Sequence, residues 1–143
     1  MDINEILKAV ENDKNSHILN LTTNKNHNIK VNILKELILT KQELIQFMKK
    51  LKNYRYIDQM DELKQGGYIK WIDIRNPEKI ELTNSVIFCD FKINDNGVSI
   101  IYKNFYRNKR YEFKMEEAII FQKLTEQEEI LLKIMDKLNE NNL

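Results

Sequence analysis

Neither glycine nor proline occurs before Gly66, and beyond it the chain turns over into short apolar runs broken by Gly-Gly, Asn-Pro and Asn-Gly. That asymmetry constrains the fold more than any other feature. Gly and Pro punctuate tight turns, so a long stretch without them favours helices over a meander of strands. The reading is one domain of α+β class: residues 1–65 mainly helical, residues 66–123 a β core, and residues 125–140 a closing helix. A chain of 143 residues buries roughly two-thirds of its unfolded surface in a single core.

In the first part, Asp2 with Glu5 opens a helix whose apolar stripe is Ile3, Ile6, Leu7 and Val10. Residues 17–33 (HILNLTTNKNHNIKVNI) fit two short strands around the polar turn TNKN, and the Ile33–Leu39 run reads equally as strand or helix. Thr40 and Glu43 then form a T-x-x-E capping box, with Leu39 and Leu44 as its hydrophobic staple. Leu44, Phe47, Met48 and Leu51 recur at helical spacing over residues 41–52.

In the β part, Tyr68–Arg75 reads as a strand stopped by Asn76-Pro77. The alternation in Val86–Ile93 places Ile87, Cys89, Phe91 and Ile93 on one face, which sends Cys89 into the core. Asn96-Gly97 reads as a type I′ hairpin turn, with Val98–Lys103 returning. Tyr111, Phe113 and Met115 alternate with Arg110, Glu112 and Lys114, after a turn at Arg107-Asn108-Lys109; Ala118–Gln122 gives a last short strand. Thr125 and Glu128 repeat the capping box ahead of Leu131, Ile134, Met135 and Leu138. Five short strands closed by a helix predict a small, strongly bent antiparallel sheet or a barrel of SH3 or OB type.

The segments Tyr54–Asp58 (YRYID), Gly66–Ile72 (GGYIKWI), Ile87–Cys89 (IFC) and Ile119–Lys123 (IIFQK) together resemble small proteins encoded by nucleocytoplasmic large DNA viruses, the giant viruses, over about residues 54–138. The resemblance implies a viral origin and an intracellular setting in the host, in a viral factory or a virion. It brings no catalytic residue. The abundance of Lys, Asn and Ile, with only two Ala and four Arg, matches A/T-rich codons and counsels against treating every Lys as a ligand.

Chemistry-bearing constellations are sparse. Cys89 is the only cysteine, which excludes an intrachain disulfide and a CxxC metal knuckle and fits a reducing compartment. No apolar run has the length of a membrane span. His17 and His27 lie in Asn-rich sequence and read as surface residues; Asp13, four positions before His17, is the one ligand-like neighbour. Phosphate-binding glycine fingerprints are absent, so no cofactor, no metal and no catalysis are expected.

The most suggestive stretch is NFYRNKRYEF, residues 104–113, and residues 102–114 carry five basic groups against one acidic. Tyr102, Phe105, Tyr106, Arg107, Lys109 and Arg110, extended by Trp71 and Tyr68 on a neighbouring strand, could stack bases and neutralise phosphates if their rings face solvent. A formal net charge of +1 argues the other way, as does the core-facing phase of Tyr111 and Phe113. Strands apolar on both faces, with Val86 and Phe88 opposite Ile87, need cover from helices or from a partner. The preferred expectation is therefore a non-catalytic module that binds protein or itself, and nucleic-acid binding is the alternative.

Overall fold

The computed structural model describes residues 2–141. Four α-helices, α1 (Ile3–Glu11), α2 (Thr23–Lys35), α3 (Lys41–Lys50) and α4 (Glu126–Asn141), accompany six strands: β1 (Tyr54–Ile57), β2 (Tyr68–Asp73), β3 (Val86–Asn94), β4 (Gly97–Lys103), β5 (Arg110–Lys114) and β6 (Ala118–Lys123). The strands form one antiparallel sheet in the order β1-β6-β2-β3-β4-β5. The α+β class stands. The barrel does not: β1 and β5 remain separate edges, so the sheet is bent but open.

The sequence reading missed a strand. Tyr54–Ile57 lies inside the stretch expected to be helical, and it pairs with β6 from Tyr54↔Lys123 to Ile57↔Ile120. Two capping boxes were read correctly. Thr40 accepts the Glu43 N–H while Glu43 accepts that of Thr40, and Thr125 and Glu128 make the same reciprocal pair.

Residues 17–33 correct a second expectation, because they form no strands. A 3₁₀ segment (Asp13–Ile18) leads into α2, whose N-cap Thr22 accepts the Lys25 N–H. The inward face of α2 is Asn26, Lys30 and Leu34, at helical spacing but two-thirds polar. Asn26 Nδ2 donates to the Tyr54 carbonyl at 3.2 Å, which caps the outer edge of β1, and Lys30 Nζ donates to the Leu51 carbonyl at 2.7 Å, at the C-terminus of α3. A helix seated through hydrogen bonds to carbonyls leaves no apolar period to read. The stripe on α1 is likewise misplaced: Ala9 is its buried residue, while Ile3, Leu7 and Val10 face solvent.

Three apolar clusters hold the layers together. The inner face of the sheet curls around Ile57, Leu63, Ile69, Val86, Phe88, Ile100 and Ile120. On the outer face α2 and α3 cover only β1, β6 and β2, through Leu34, Phe47, Leu51, Tyr54, Ile72 and Phe121. The third cluster joins α1, the 3₁₀ segment and α4 through Ala9, Ile18, Leu131 and Leu132. Each fully buried Leu, Ile or Phe contributes about 1.5–3 kcal/mol relative to exposure.

Strand β3 explains the displaced alternation. The register shifts between Phe88 and Asp90, leaving Cys89 as the extra residue of a β-bulge. Phe88 pairs with Tyr102 and Phe91 with Ile100, so Phe88 and Phe91 share the inner face. Cys89 is consequently half-buried at the bulge rather than sealed in the core, and Ile93 is exposed. The β3–β4 turn also differs from the type I′ expectation. Its loop is Asp95-Asn96, with Asn94 paired to Gly97, and positive φ occurs at Gly97 (+111°) but not at Asn96. The Asn94 side chain accepts the Asn96 N–H at 2.9 Å, which stabilises the loop without a left-handed asparagine.

Gly97→Ala is expected to lower stability by about 1–2 kcal/mol, the cost of placing a Cβ on the left-handed side of the map. No atom lies within 4 Å of that Cβ, so the loss is conformational and not steric. A urea midpoint equal to that of the parent would show that the hairpin does not depend on Gly97.

Candidate functional site

The residues singled out around 102–113 divide between two faces of the sheet. Trp71 and Tyr102 lie on the inner face, where Trp71 stacks on Phe113 with ring centroids 4.4 Å apart and lies 4.7 Å from Tyr102. Tyr102 in turn stacks on Tyr111 at 5.6 Å. These rings are committed to one another and are not a platform for bases. Tyr68, Phe105 and Tyr106 are exposed, Tyr106 almost fully at 98%. Phe105 packs edge-on against Tyr68 at 5.1 Å. Arg107, Lys109 and Arg110 are exposed as well, and the Lys109 ammonium lies 5.3 Å from the Tyr111 ring centre. The alternation of Tyr111 and Phe113 is inward as expected, but it accounts for only half of the aromatic set.

The strand register adds residues that sequence spacing did not reveal. Tyr54 pairs with Lys123, Tyr68 with Ile87, Ile87 with Lys103, and Lys103 with Arg110. The Lys123 ammonium sits 5.6 Å from the Tyr68 ring centre, and the Lys70 ammonium 5.2 Å from that of Tyr54. A row of cations and rings thus crosses the outer face from strand to strand. Its members are far apart in sequence, so only the register brings them together.

A second assembly was invisible in the sequence. Glu128 is fully buried, and its Oε2 accepts from Arg55 Nε at 2.8 Å and Lys64 Nζ at 3.0 Å, with His17 Nε2 at 3.1 Å. Its Oε1 completes the capping box by accepting the Thr125 N–H at 2.9 Å. Arg55 Nη2 donates to the Glu62 carbonyl and to Gln122 Oε1, while Gln122 also exchanges two hydrogen bonds with the Lys64 backbone. A Cβ at Gly67 would meet Gln122 Nε2 at 2.5 Å, so the glycine is required by this close approach. His17 is therefore not the surface residue expected, and Asp13 is not its partner. The one available signal was the capping-box glutamate itself, since a Glu at that position has a second oxygen to place.

Burial pushes the Glu128 carboxyl up. The His17 hydrogen bond, the Arg55 charge, the Thr125 N–H and the Lys64 charge outweigh burial and hold its pKa at about 2. Both oxygens of the carboxylate are engaged by neighbouring donors. Among the described residues no group of three or more His, Cys, Asp or Glu side chains is arranged to hold a metal ion. This centre fastens α4, the 3₁₀ segment and β1 together.

A third feature is a groove of about 580 Å³ between α2 and α3. Val31, Leu44, Ile45 and Met48 line it with apolar surface, and His27, Lys30, Lys49 and Lys52 supply the ionisable groups. No carboxylate lines it. Burial lowers the Lys30 pKa to about 8.

No helix among the described residues is long and apolar enough to cross a membrane. No family model, curated protein or solved structure matches the chain.

Glu128→Gln keeps the shape of the cap but removes the charge that compensates Arg55 and Lys64. The expected loss at neutral pH is about 3–5 kcal/mol, as when one partner of a buried pair is removed. Because the folded pKa lies below the unfolded value, the parent's advantage is complete above about pH 4.5 and fades as pH falls towards 2. Denaturant titrations of both proteins across that window measure it; an advantage that does not change with pH would mean the carboxylate is not ionised in the fold.

Proposed function

We propose that this chain is a non-catalytic interaction module acting through protein contacts, with the α2–α3 groove as its docking surface. One observation carries the reading: an apolar floor of Val31, Leu44, Ile45 and Met48 lies open beside lysines of a single sign. An amphipathic helix binds such grooves by laying its apolar side on the floor. Met48 and the unbranched lysine stems let the floor adapt to the incoming side chains. The cations favour a partner segment with Glu or Asp flanking its apolar stripe. The buried charged centre joins elements through Glu128, Arg55 and Lys64, while Arg55 Nη1 has no hydrogen-bond partner there among the described residues. Such a module fits the virus-encoded, intracellular setting that the resemblance of residues 54–138 implies.

A second reading, self-association, is favoured by the exposed Ile3, Leu7 and Val10 on α1. Sedimentation of the purified chain separates the two, since a helix peptide bound by a monomer needs no second copy.

A fluorescent amphipathic helix peptide of Leu and Glu is expected to bind with a Kd on the order of 10 μM, a transient-interface strength. Ile45→Glu puts a carboxylate on the floor and is expected to weaken binding at least about tenfold, the effect of roughly 1.4 kcal/mol. Ile38→Glu changes an exposed side chain outside the groove lining and is expected to leave binding unchanged. No binding by the folded parent, or equal loss in both variants, would refute docking in the groove.

A further inference from the structure

We infer that the outer face of the sheet, along the row from Lys70 and Lys123 through Tyr68 and Phe105 to Lys103 and Arg110, is a binding surface for single-stranded nucleic acid. This surface is separate from the groove floor, and the inference stands or falls independently of docking there.

Electrostatics gives the first argument. A net charge of +1 describes the whole chain, whereas a ligand meets the local field. Lys70 Nζ lies 3.4 Å from the Lys50 carbonyl, and its pKa is lowered by burial and by the Lys50 charge. The Lys50 charge at the end of α3 therefore acts on Lys70. The register continues the positive charge through Lys123, Lys103 and Arg110, and no carboxylate occupies that row. The nearest acid on β5, Glu112, is already paired with Lys92 at 3.4 Å. Like charges gathered at a mutual cost are stabilised by a polyanion that neutralises several at once.

The exposed rings give the second argument, and they select the kind of polyanion. Phe105 and Tyr68 are 48% and 39% exposed, fixed edge to face, on the face that carries the lysines. Fixed, half-exposed rings between cations offer bases a surface to stack on while phosphates meet ammonium groups. A duplex hides its base faces, so it uses the charges but not the rings. An acidic peptide likewise has little use for a ring pair.

Geometry gives the third. Helices α2 and α3 cover only the β1, β6 and β2 part of the outer face, so the strip across β3, β4 and β5 is open. From Lys123 on β6, which stays exposed beside the helices, to Arg110 on β5 the row crosses five strands, roughly 19 Å at about 4.8 Å spacing, within the reach of a few extended nucleotides. Lys123 on β6 and Lys103 on β4 flank the Tyr68 and Ile87 positions at the middle of this row, while Arg107 and Lys109 belong to the loop beyond it. The structure therefore moves the binding weight away from the loop cations that look most suggestive in sequence.

The test is fluorescence anisotropy with a labelled 12-nucleotide oligo(U), its DNA counterpart oligo(dT), and a 12-base-pair duplex. Single strands are expected to bind more tightly than the duplex. Lys103→Gln with Lys123→Gln should weaken binding more than Arg107→Gln with Lys109→Gln, and should reduce the slope of log K against log salt by about 1.4, at roughly 0.7 per lost phosphate contact. Phe105→Ala should weaken binding by roughly 10- to 100-fold, the effect of losing one stacked base. Circular dichroism confirms that each variant is folded, and because all five side chains are at the surface the comparison survives modest destabilisation. No single-strand binding, equal or tighter duplex binding, or insensitivity to Phe105→Ala would overturn the inference. A larger loss from the loop variant than from the Lys103 and Lys123 variant would overturn the row as the site. Binding to phosphatidylserine vesicles or polyglutamate in place of the oligonucleotides would overturn nucleic acid as the ligand.

Discussion

A single buried carboxylate connects the parts of this molecule that are most distant in sequence. Glu128 joins α4 to β1 through Arg55, to the segment before β2 through Lys64, and to the N-terminal 3₁₀ segment through His17. Buried ion pairs gain little net stability, because desolvation offsets most of the Coulomb attraction. Their effect lies in selectivity: any other docking of α4 would leave Arg55 and Glu128 buried and unpaired. The consequences extend to the sheet, since Gln122 and Gly67 are shaped around the same centre. The entry to β2 and the end of β6 are set by it as well.

Curvature is the second organising constraint. The bulge at Cys89 turns Phe88 and Phe91 to the same face and increases the local twist of β3. The inner face can then close over its own apolar side chains without a second sheet, with Trp71, Tyr102 and Phe113 packed at its open end. Closure stops short of a barrel. One consequence is an outer face that three strands present to solvent, because the helices occupy only the other half.

Lysine, abundant here for compositional reasons, takes three distinct roles according to environment. Lys30 is buried and caps the carbonyls that end α3; Lys64 is drawn to Glu128; Lys70 and Lys123 lie over the rings of the buried Tyr54 and the exposed Tyr68. The same side chain serves as cap, counter-charge and cation over an aromatic ring. Its stem packs against apolar neighbours while its head seeks whatever oxygen or ring is near. Counting lysines therefore says little about function, whereas locating their partners says a great deal.

By itself, the sequence determined what depends on neighbours within a few residues. The capping boxes at Thr40 and Thr125 were legible because a cap is satisfied three residues away. The strands from Tyr68 to Lys123 were legible because alternation and turn residues are local. Tertiary structure decided everything that a distant partner satisfies. Helix α2 escaped notice because Asn26 and Lys30 are buried against carbonyls supplied by β1 and α3. The short strand β1 escaped because β6 pairs with it from nearly seventy residues away, from Tyr54↔Lys123 onward. The bulge at Cys89 broke the period of two within β3, and no residue type announces a bulge when the extra position is not glycine. Most of all, the Glu128 centre draws members from opposite ends of the chain, and the row on the outer face from strands between Tyr54 and Lys123. Register and burial, not spacing, bring those charges within reach of one another.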